Sequence, residues 1–224
     1  MTVPGAVPPD VAVLASGGLD SAVLVAHLGA RGDVVQPIYV RFGLAWEPVE
    51  EAHLRRFLGT LPGGSTRPLL VFEEPVADLY GSHWSVSGDG VPDAGTPDDA
   101  VELPGRNLLL LAKSSVWCAL HGVHAIAMGT LGGNPFPDSS PAFLSGFGTL
   151  VDLGLSHRLE VLTPFAGMSK AEVLQLGRHL RLEETFSCID PQGAEHCGRC
   201  NKCAERRRAF VTLSIDDDTP YAGR

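Results

Sequence analysis

Three things are scarce in this 224-residue chain: aromatic residues (7%), basic residues (17 Lys and Arg against 26 Asp and Glu) and cysteine (five). The shortage of basic residues leaves a formal charge of −9, and it argues against a nucleic-acid partner, whose phosphates are met by a basic face. Apolar runs of the roughly 18 residues needed to span a bilayer are also missing, so no membrane partner is expected. The opening Met1-Thr2-Val3-Pro4-Gly5 lacks the basic start of a secretory leader. A cytoplasmic protein acting on small molecules is the expectation. Hydrophobic residues at 44% exclude a disordered chain. The few cysteines are not spread evenly, since four of the five lie between Cys188 and Cys203. In a reducing compartment such crowding points to metal before disulfides.

The stretch that organises the rest is Val11-Ala12-Val13-Leu14-Ala15-Ser16-Gly17-Gly18-Leu19-Asp20-Ser21. A short apolar, β-branched run followed by a helical segment predicts a buried strand whose Ser-Gly-Gly exit opens a helix. Unpaired N–H groups at a helix start attract anions, and paired glycines let a phosphate approach the main chain. The pattern is neither a Walker A loop nor a dinucleotide fingerprint. It resembles the SGGxDS signature of the PP-loop ATP pyrophosphatases, which split ATP between its α- and β-phosphates. Ala15, Ser16, Gly17, Gly18, Leu19, Asp20 and Ser21 are therefore the candidate nucleotide-binding residues. Asp20 has the alternative of simply capping its helix.

Further strands are predicted at 33–40, 69–72, 125–129 and 160–165, alternating with helices at 48–58, 108–120 and 141–155. This alternation predicts a parallel α/β sheet. His53, on the first of those helices, reads as a surface residue. The polar, Gly- and Pro-rich stretch 81–102 has no periodicity and reads as a lid over the nucleotide, with a disordered insertion as the alternative. Pro104-Gly105-Arg106-Asn107 feeds a helix start, where Arg106 and Asn107 can meet phosphate, with Lys113 in the second turn as cationic help. Ser169 with Glu172 predicts a capping box, and Lys170 stands near that helix start. Residues 1–165 are expected to form the ATP-binding domain and 166–224 a helical zinc-binding part.

Cys188, Cys197, Cys200 and Cys203 follow the spacing C-x8-C-x2-C-x2-C. Four thiolates suit a closed, structural zinc site with no open position for water. A redox pair and an iron–sulfur cluster are the competing uses of such cysteines. His196, adjacent to the cluster, reads as a bystander.

Together the PP-loop, Pro-Gly-Arg-Asn, Ser-Lys-Ala-Glu and the cysteine cluster make the chain resemble the QueC family of 7-cyano-7-deazaguanine (preQ0) synthases, from about Val11 to Phe210. The resemblance is most specific from Thr185 to Cys203, with Arg206 and Phe210. It implies a Rossmann-like HUP-type domain, a homodimer, one zinc per chain, and ATP with Mg2+. Ser16, Asp20, Lys170 and Arg106 are the expected catalytic group. The implied reaction converts 7-carboxy-7-deazaguanine and ammonia to the nitrile through an acyl adenylate. Phe136, Asp138 and Arg41 would meet the substrate, with Asp138 facing the N1–H and 2-amino groups of a guanine-like ring. Asp138 has the alternative of capping the helix near Pro141. Family members carry Tyr-Pro-Asp-Cys-Arg where this chain has Phe136-Pro137-Asp138-Ser139-Ser140, and Tyr-Gly-Gln-Arg-His where it has a loop through Arg41 to Glu47. These departures bear on substrate identity more than on ATP chemistry. They keep two alternatives in view: an adenylating amide ligase using another amine, and a nucleotide-binding regulatory module.

Overall fold

Val11–Leu14 forms the central strand β1, and all four of its side chains are buried, as a strand covered on both faces requires. The computed structural model describes residues 8–223, so Met1 to Gly5 lie outside the described residues. Around β1 the remaining strands are β2 (Val35–Arg41), β3 (Leu70–Glu73), β4 (Ala125–Ala127) and β5 (Glu160–Leu162). All pairings are parallel, in the order β3-β2-β1-β4-β5. The chain builds outward from β1 to β3 and then crosses back to β4. That reversal puts a topological switch point between β1 and β4, and open α/β sheets bind ligands outside the strand ends there.

Alternate residues of β1 and β2 feed two separate apolar clusters, one on each face. On one face Val11 and Val13 pack with α1 (Leu19–Ala30), α7 (Lys170–Gly177) and α8 (Asn201–Leu213). On the other, Ala12 and Leu14 join α5 (Arg106–His121) and α6 (Pro141–Leu155). The expected α/β sheet with helices on both faces is thus observed. The helix α2 (Glu47–Thr60) lies beside the exit of β1. Short helices α3 (Ala77–Tyr80) and α4 (Trp84–Ser87) follow β3, so the stretch expected to be wholly irregular carries some helix. No helix of the described residues is long and apolar enough to cross a membrane.

Residues 178–200 contain little regular structure, and buried polar contacts hold them. Arg206 of α8 is fully buried and its guanidinium donates to Thr219 Oγ1 (2.9 Å), Thr185 Oγ1 (2.8 Å) and Leu182 O (2.7 Å). His53 corrects its reading as a surface residue. It is buried, with ring nitrogens 3.2 Å from Glu184 O and 3.0 Å from Ala194 O, because α2 packs under this C-terminal segment.

Candidate active site and metal centre

The exit of β1 makes a closed hydroxyl-lined loop. Ser16 N donates to Ser21 Oγ (3.2 Å), Ser21 Oγ donates to Gly18 O (3.1 Å), and the two hydroxyls lie 3.2 Å apart. Gly17 is needed here twice over. Its φ is +78°, and a Cβ would stand 3.0 Å from the Glu50 carbonyl oxygen of α2. Across the switch point, a Cβ on Gly129 would come within 3.1 Å of Ser21 N, so β4's exit presses directly on the start of α1. The loop opens on a cavity of about 280 Å³ lined by Ala15, Ser16, Gly18, Asp20 and Ser21.

Asp20 does not cap α1, whose N-cap is Gly18. Instead its Oδ2 accepts from Lys170 Nζ at 2.6 Å, Lys170 lies 3.3 Å from Glu205, and Glu205 lies 2.9 Å from Lys202. A ladder of alternating charge therefore runs from the start of α1 to α8. Burial would depress the Lys170 ammonium, yet Asp20 and Glu205 outweigh it and hold it above the usual lysine range. Asp20 Oδ1 is buried with no partner among the described residues. An orphan carboxylate oxygen on the cavity that the Ser16 and Ser21 loop also lines fits a divalent cation of the kind that accompanies a nucleotide.

The opposite wall comes from α5 and the segment after β4. Arg106, the first residue of α5, lines the cavity and its buried Nε has no partner. Asn107 is also at the wall, and Asp138 engages it from both oxygens, accepting from Asn107 N (2.9 Å) and Nδ2 (3.0 Å). Asp138 thus caps α5, while Ser140 caps α6 by accepting from Phe143 N. Phe136 and Asp138 both line the cavity. The Ser139 hydroxyl lies 2.7 Å from Phe136 O and 2.9 Å from Asn134 Oδ1, donating to one of them, and closes the turn.

Two expected residues stand elsewhere. Arg41 is drawn off by Glu51 (2.7 Å) and by Glu73 (2.6 Å), its register partner on β3, and does not reach the cavity wall. Lys113 lies seven residues beyond Arg106, about 10 Å further along the helix axis, and pairs with Glu74 at 3.0 Å on an outer groove. Neither belongs to the assembled site.

Sequence reasoning passed over several residues that belong there. Tyr39 lines the cavity, and its hydroxyl donates to Glu50 Oε2 at 2.8 Å. Burial pushes Glu50 up to about 7, against the pull of Arg106 and the Tyr39 hydrogen bond. Trp84 also lines the wall, stacked on Trp46 at 5.6 Å. Lys202 lines it from α8. No local pattern marks these positions, because each is defined by a partner far away in sequence; only the place of Lys202 between two cluster cysteines was a usable signal.

The four cysteines are buried, with all Sγ atoms within 4.8 Å of one another. Cys188 and Cys200 sulfurs are 3.9 Å apart and Cys197 and Cys203 sulfurs 4.0 Å. Tetrahedral metal–sulfur bonds of about 2.3 Å require sulfur separations of about 3.8 Å, so the donor set fits one ion. Backbone N–H groups of Asp190, Cys197, Arg199 and Cys200 donate to Cys188 or Cys197 sulfur, as thiolate ligands demand. His196 is buried outside the four-sulfur set, and its Nε2 accepts from Ser187 N at 3.2 Å. Burial holds its imidazole down to about 3, so it stays neutral and able to accept.

Residues beside the same centre hold the segment 92–98. Ala94 N donates to Arg199 O (2.9 Å), Asn201 N to Pro92 O (3.0 Å), and Asn201 Nδ2 to Thr96 O (2.8 Å) and Asp98 Oδ1 (3.1 Å). Just beyond this seam Val101, Glu102 and Leu103 line the cavity.

Comparison with known proteins converges on one group. The model of the queuosine biosynthesis protein QueC matches residues 10–214. A 7-cyano-7-deazaguanine synthase of Paracoccus denitrificans is 32% identical over 93% of this chain and 91% of its own. One from Methanothermobacter thermautotrophicus is 32% identical over 92% and 96% respectively. With the loop, the cavity and the four-cysteine centre in one molecule, this chain belongs to the QueC family.

Proposed function

We propose that the chain is an ATP-dependent, C–N bond-forming enzyme that converts 7-carboxy-7-deazaguanine and ammonia to 7-cyano-7-deazaguanine. The observation that carries this reading is one cavity with the Ser16–Ser21 loop on one side and Phe136 and Asp138 on the other. The substrate carboxylate attacks the α-phosphorus of ATP and releases pyrophosphate, leaving an acyl adenylate. Ammonia adds to its carbonyl carbon, loses a proton, and expels AMP to give the amide. A second ATP adenylates the amide oxygen and releases pyrophosphate, and departure of that oxygen with AMP, together with loss of the two N–H protons, leaves the nitrile.

Such chemistry asks the protein for position and charge neutralisation. Ser16, Ser21 and the backbone at Gly17 and Gly18 hold the pyrophosphate portion. Asp20 Oδ1 would hold Mg2+, whose charge would offset that of the phosphates. Arg106 faces the phosphates across the cavity, and Lys170 fixes Asp20. Asp138 uses the acceptor capacity left after its two bonds to Asn107 to read the ring. Residues 1–165 form the ATP-binding part and 166–224 the metal-bearing part that completes its wall, with one structural zinc at the four cysteines. The exposed Leu108, Val116 and Leu120 of α5 and Leu150 and Leu153 of α6 would form the homodimer contact.

Ser139 and Ser140 favour a second reading. They spend their hydroxyls on the turn and on the α6 cap, and a site without the family's arginine suits an amide ligase that takes another amine. Incubation with 7-carboxy-7-deazaguanine, ATP and ammonium separates the readings. Nitrile mass with AMP and pyrophosphate supports the synthase, an amide that persists supports the ligase, and ADP with phosphate refutes α–β cleavage. Asp20→Asn should slow pyrophosphate release at least tenfold, on the scale of one lost electrostatic contact.

A further inference from the structure

The cavity is poor in positive charge for a site that takes a triphosphate. Three carboxylates line it, Asp20, Glu102 and Asp138, against two cations, Arg106 and Lys202. Lys170 stands behind Asp20 with its ammonium shared between Asp20 and Glu205, so its charge is largely neutralised in place. Lys202 differs. It has one carboxylate partner, Glu205 at 2.9 Å, and its side chain is 31% exposed, which leaves two of the three ammonium donors for a ligand.

The position of Lys202 is also costly for the helix. It is the second residue of α8, and the N-terminal turn of a helix carries partial positive charge that disfavours lysine and favours acidic residues. Glu205, one turn on, offsets part of that repulsion but is itself shared with Lys170. A cation held against the local preference, at a cavity wall, next to a helix N-terminus that adds to its field, is placed for an anion.

We infer that Lys202 is a phosphate-binding residue of the active site, delivered to the cavity by the metal centre through its neighbours Cys200 and Cys203. This rests on the adenylating reading of the cavity. It gives the four-cysteine centre a part in substrate binding: the ion fixes the first turn of α8, and that turn carries Lys202 to the phosphates.

The test is calorimetric titration of the metal-loaded protein with inorganic pyrophosphate, and with magnesium and the α,β-methylene analogue of ATP, which cannot be split at that bond. Lys202→Met should weaken both by about tenfold, the scale of one charge-assisted contact. Lys202→Arg should keep most of the affinity, and Lys113→Met, on the outer groove, should change nothing. Metal content and melting temperature are followed in parallel. Weaker binding by Lys202→Met with intact metal and fold supports the inference; binding equal to wild type overturns it. Loss of binding together with metal assigns Lys202 a structural role and also overturns it. If the unaltered protein binds neither probe, the adenylating reading itself fails.

Discussion

The Ser16–Ser21 loop and two neighbours of the cysteine centre, Ile189 and Lys202, line the same cavity, yet the two regions are shaped by opposite means. Residues 15–18 are held at the exit of a fully buried strand: Ser16, Gly18 and Ser21 bond among themselves within six residues and Ala15 N donates to Ile38 O (2.9 Å), with one bond to the C-terminal part, from Phe186 N to Gly17 O (2.8 Å). The sheet and α1 set that geometry without any bound ion. Residues 185–200 have almost no regular structure, and their three thiols meet that of Cys203, in the first turn of α8, where an ion would sit. One wall is made by secondary structure and the other by ligation. Removing the ion should therefore damage the two walls unequally.

Metal removal is the largest expected effect. Stripping the ion with a strong chelator, or Cys200→Ser, should cost several kcal/mol locally, since structural thiolate sites contribute folding energy directly. Because Asn201 holds Thr96 and Asp98, and Arg199 O holds Ala94, the lid should loosen with it. Limited proteolysis should then cut within residues 90–101 while hydrogen exchange in β1, β2 and β4 stays protected. Equal protection of the lid with and without metal would break the comparison. Elemental analysis giving one zinc per chain, without iron or visible absorption, would sharpen it.

The support beneath the phosphate loop can be probed through Glu50, whose backbone oxygen limits Gly17 and whose carboxyl is buried with Tyr39, Glu47 and Arg106 near it. Its folded pKa, pushed up to about 7 by burial, lies above the ordinary carboxylate value. A raised value means that its stability contribution is complete below the ordinary carboxylate range and is lost as pH rises through 7. Glu50→Gln removes that loss. The variant should match wild type near pH 3.5, pull ahead as pH rises past the ordinary carboxylate range and exceed it by about 3 kcal/mol above pH 8, read as the difference in urea midpoints. Taking the difference between two proteins with the same cysteines cancels thiolate titration. A constant difference across pH would show that Glu50 ionises freely.

These contrasts explain what could be read in the sequence. The loop was legible because Ser16, Gly17, Gly18, Asp20 and Ser21 act within one strand–helix junction. The cysteines were legible because their spacing encodes a single ion. The α7 capping box, Ser169 with Glu172, was likewise local and is present. Arg41 and Lys113 misled because a cation near a strand end or helix start looks like a phosphate ligand, whereas Glu51, Glu73 and Glu74 claim both. Lys202, Glu50 and Tyr39 escaped because their roles depend on contacts between elements, which no local period records. His53 escaped for the same reason, since its partners lie more than a hundred residues away.

The smallest effect on stability is expected at Asp138, and it tests whether the wall opposite the Ser16–Ser21 loop is tuned for a ligand or only for folding. Asp138 caps α5 through Asn107 N and also accepts from Asn107 Nδ2. Asparagine can keep the first bond through its own oxygen. The second is recovered if the Asn107 amide turns over and presents its oxygen to the new NH2 group, so Asp138→Asn should lower stability by about 1 kcal/mol or less. Alanine offers no acceptor and leaves Asn107 N unpaired at the helix start, so Asp138→Ala should cost about 1–2 kcal/mol. Ligand recognition should rank the two variants differently. A ring presenting N1–H and a 2-amino group needs a carboxylate, and an asparagine NH2 would face a donor. Both variants should then lose about 2–4 kcal/mol of affinity for 7-carboxy-7-deazaguanine, while pyrophosphate binding stays close to wild type. Calorimetry that finds Asp138→Asn binding the deazaguanine as well as wild type would leave Asp138 a helix cap and nothing more, and would move the weight toward an acceptor-tolerant ligase.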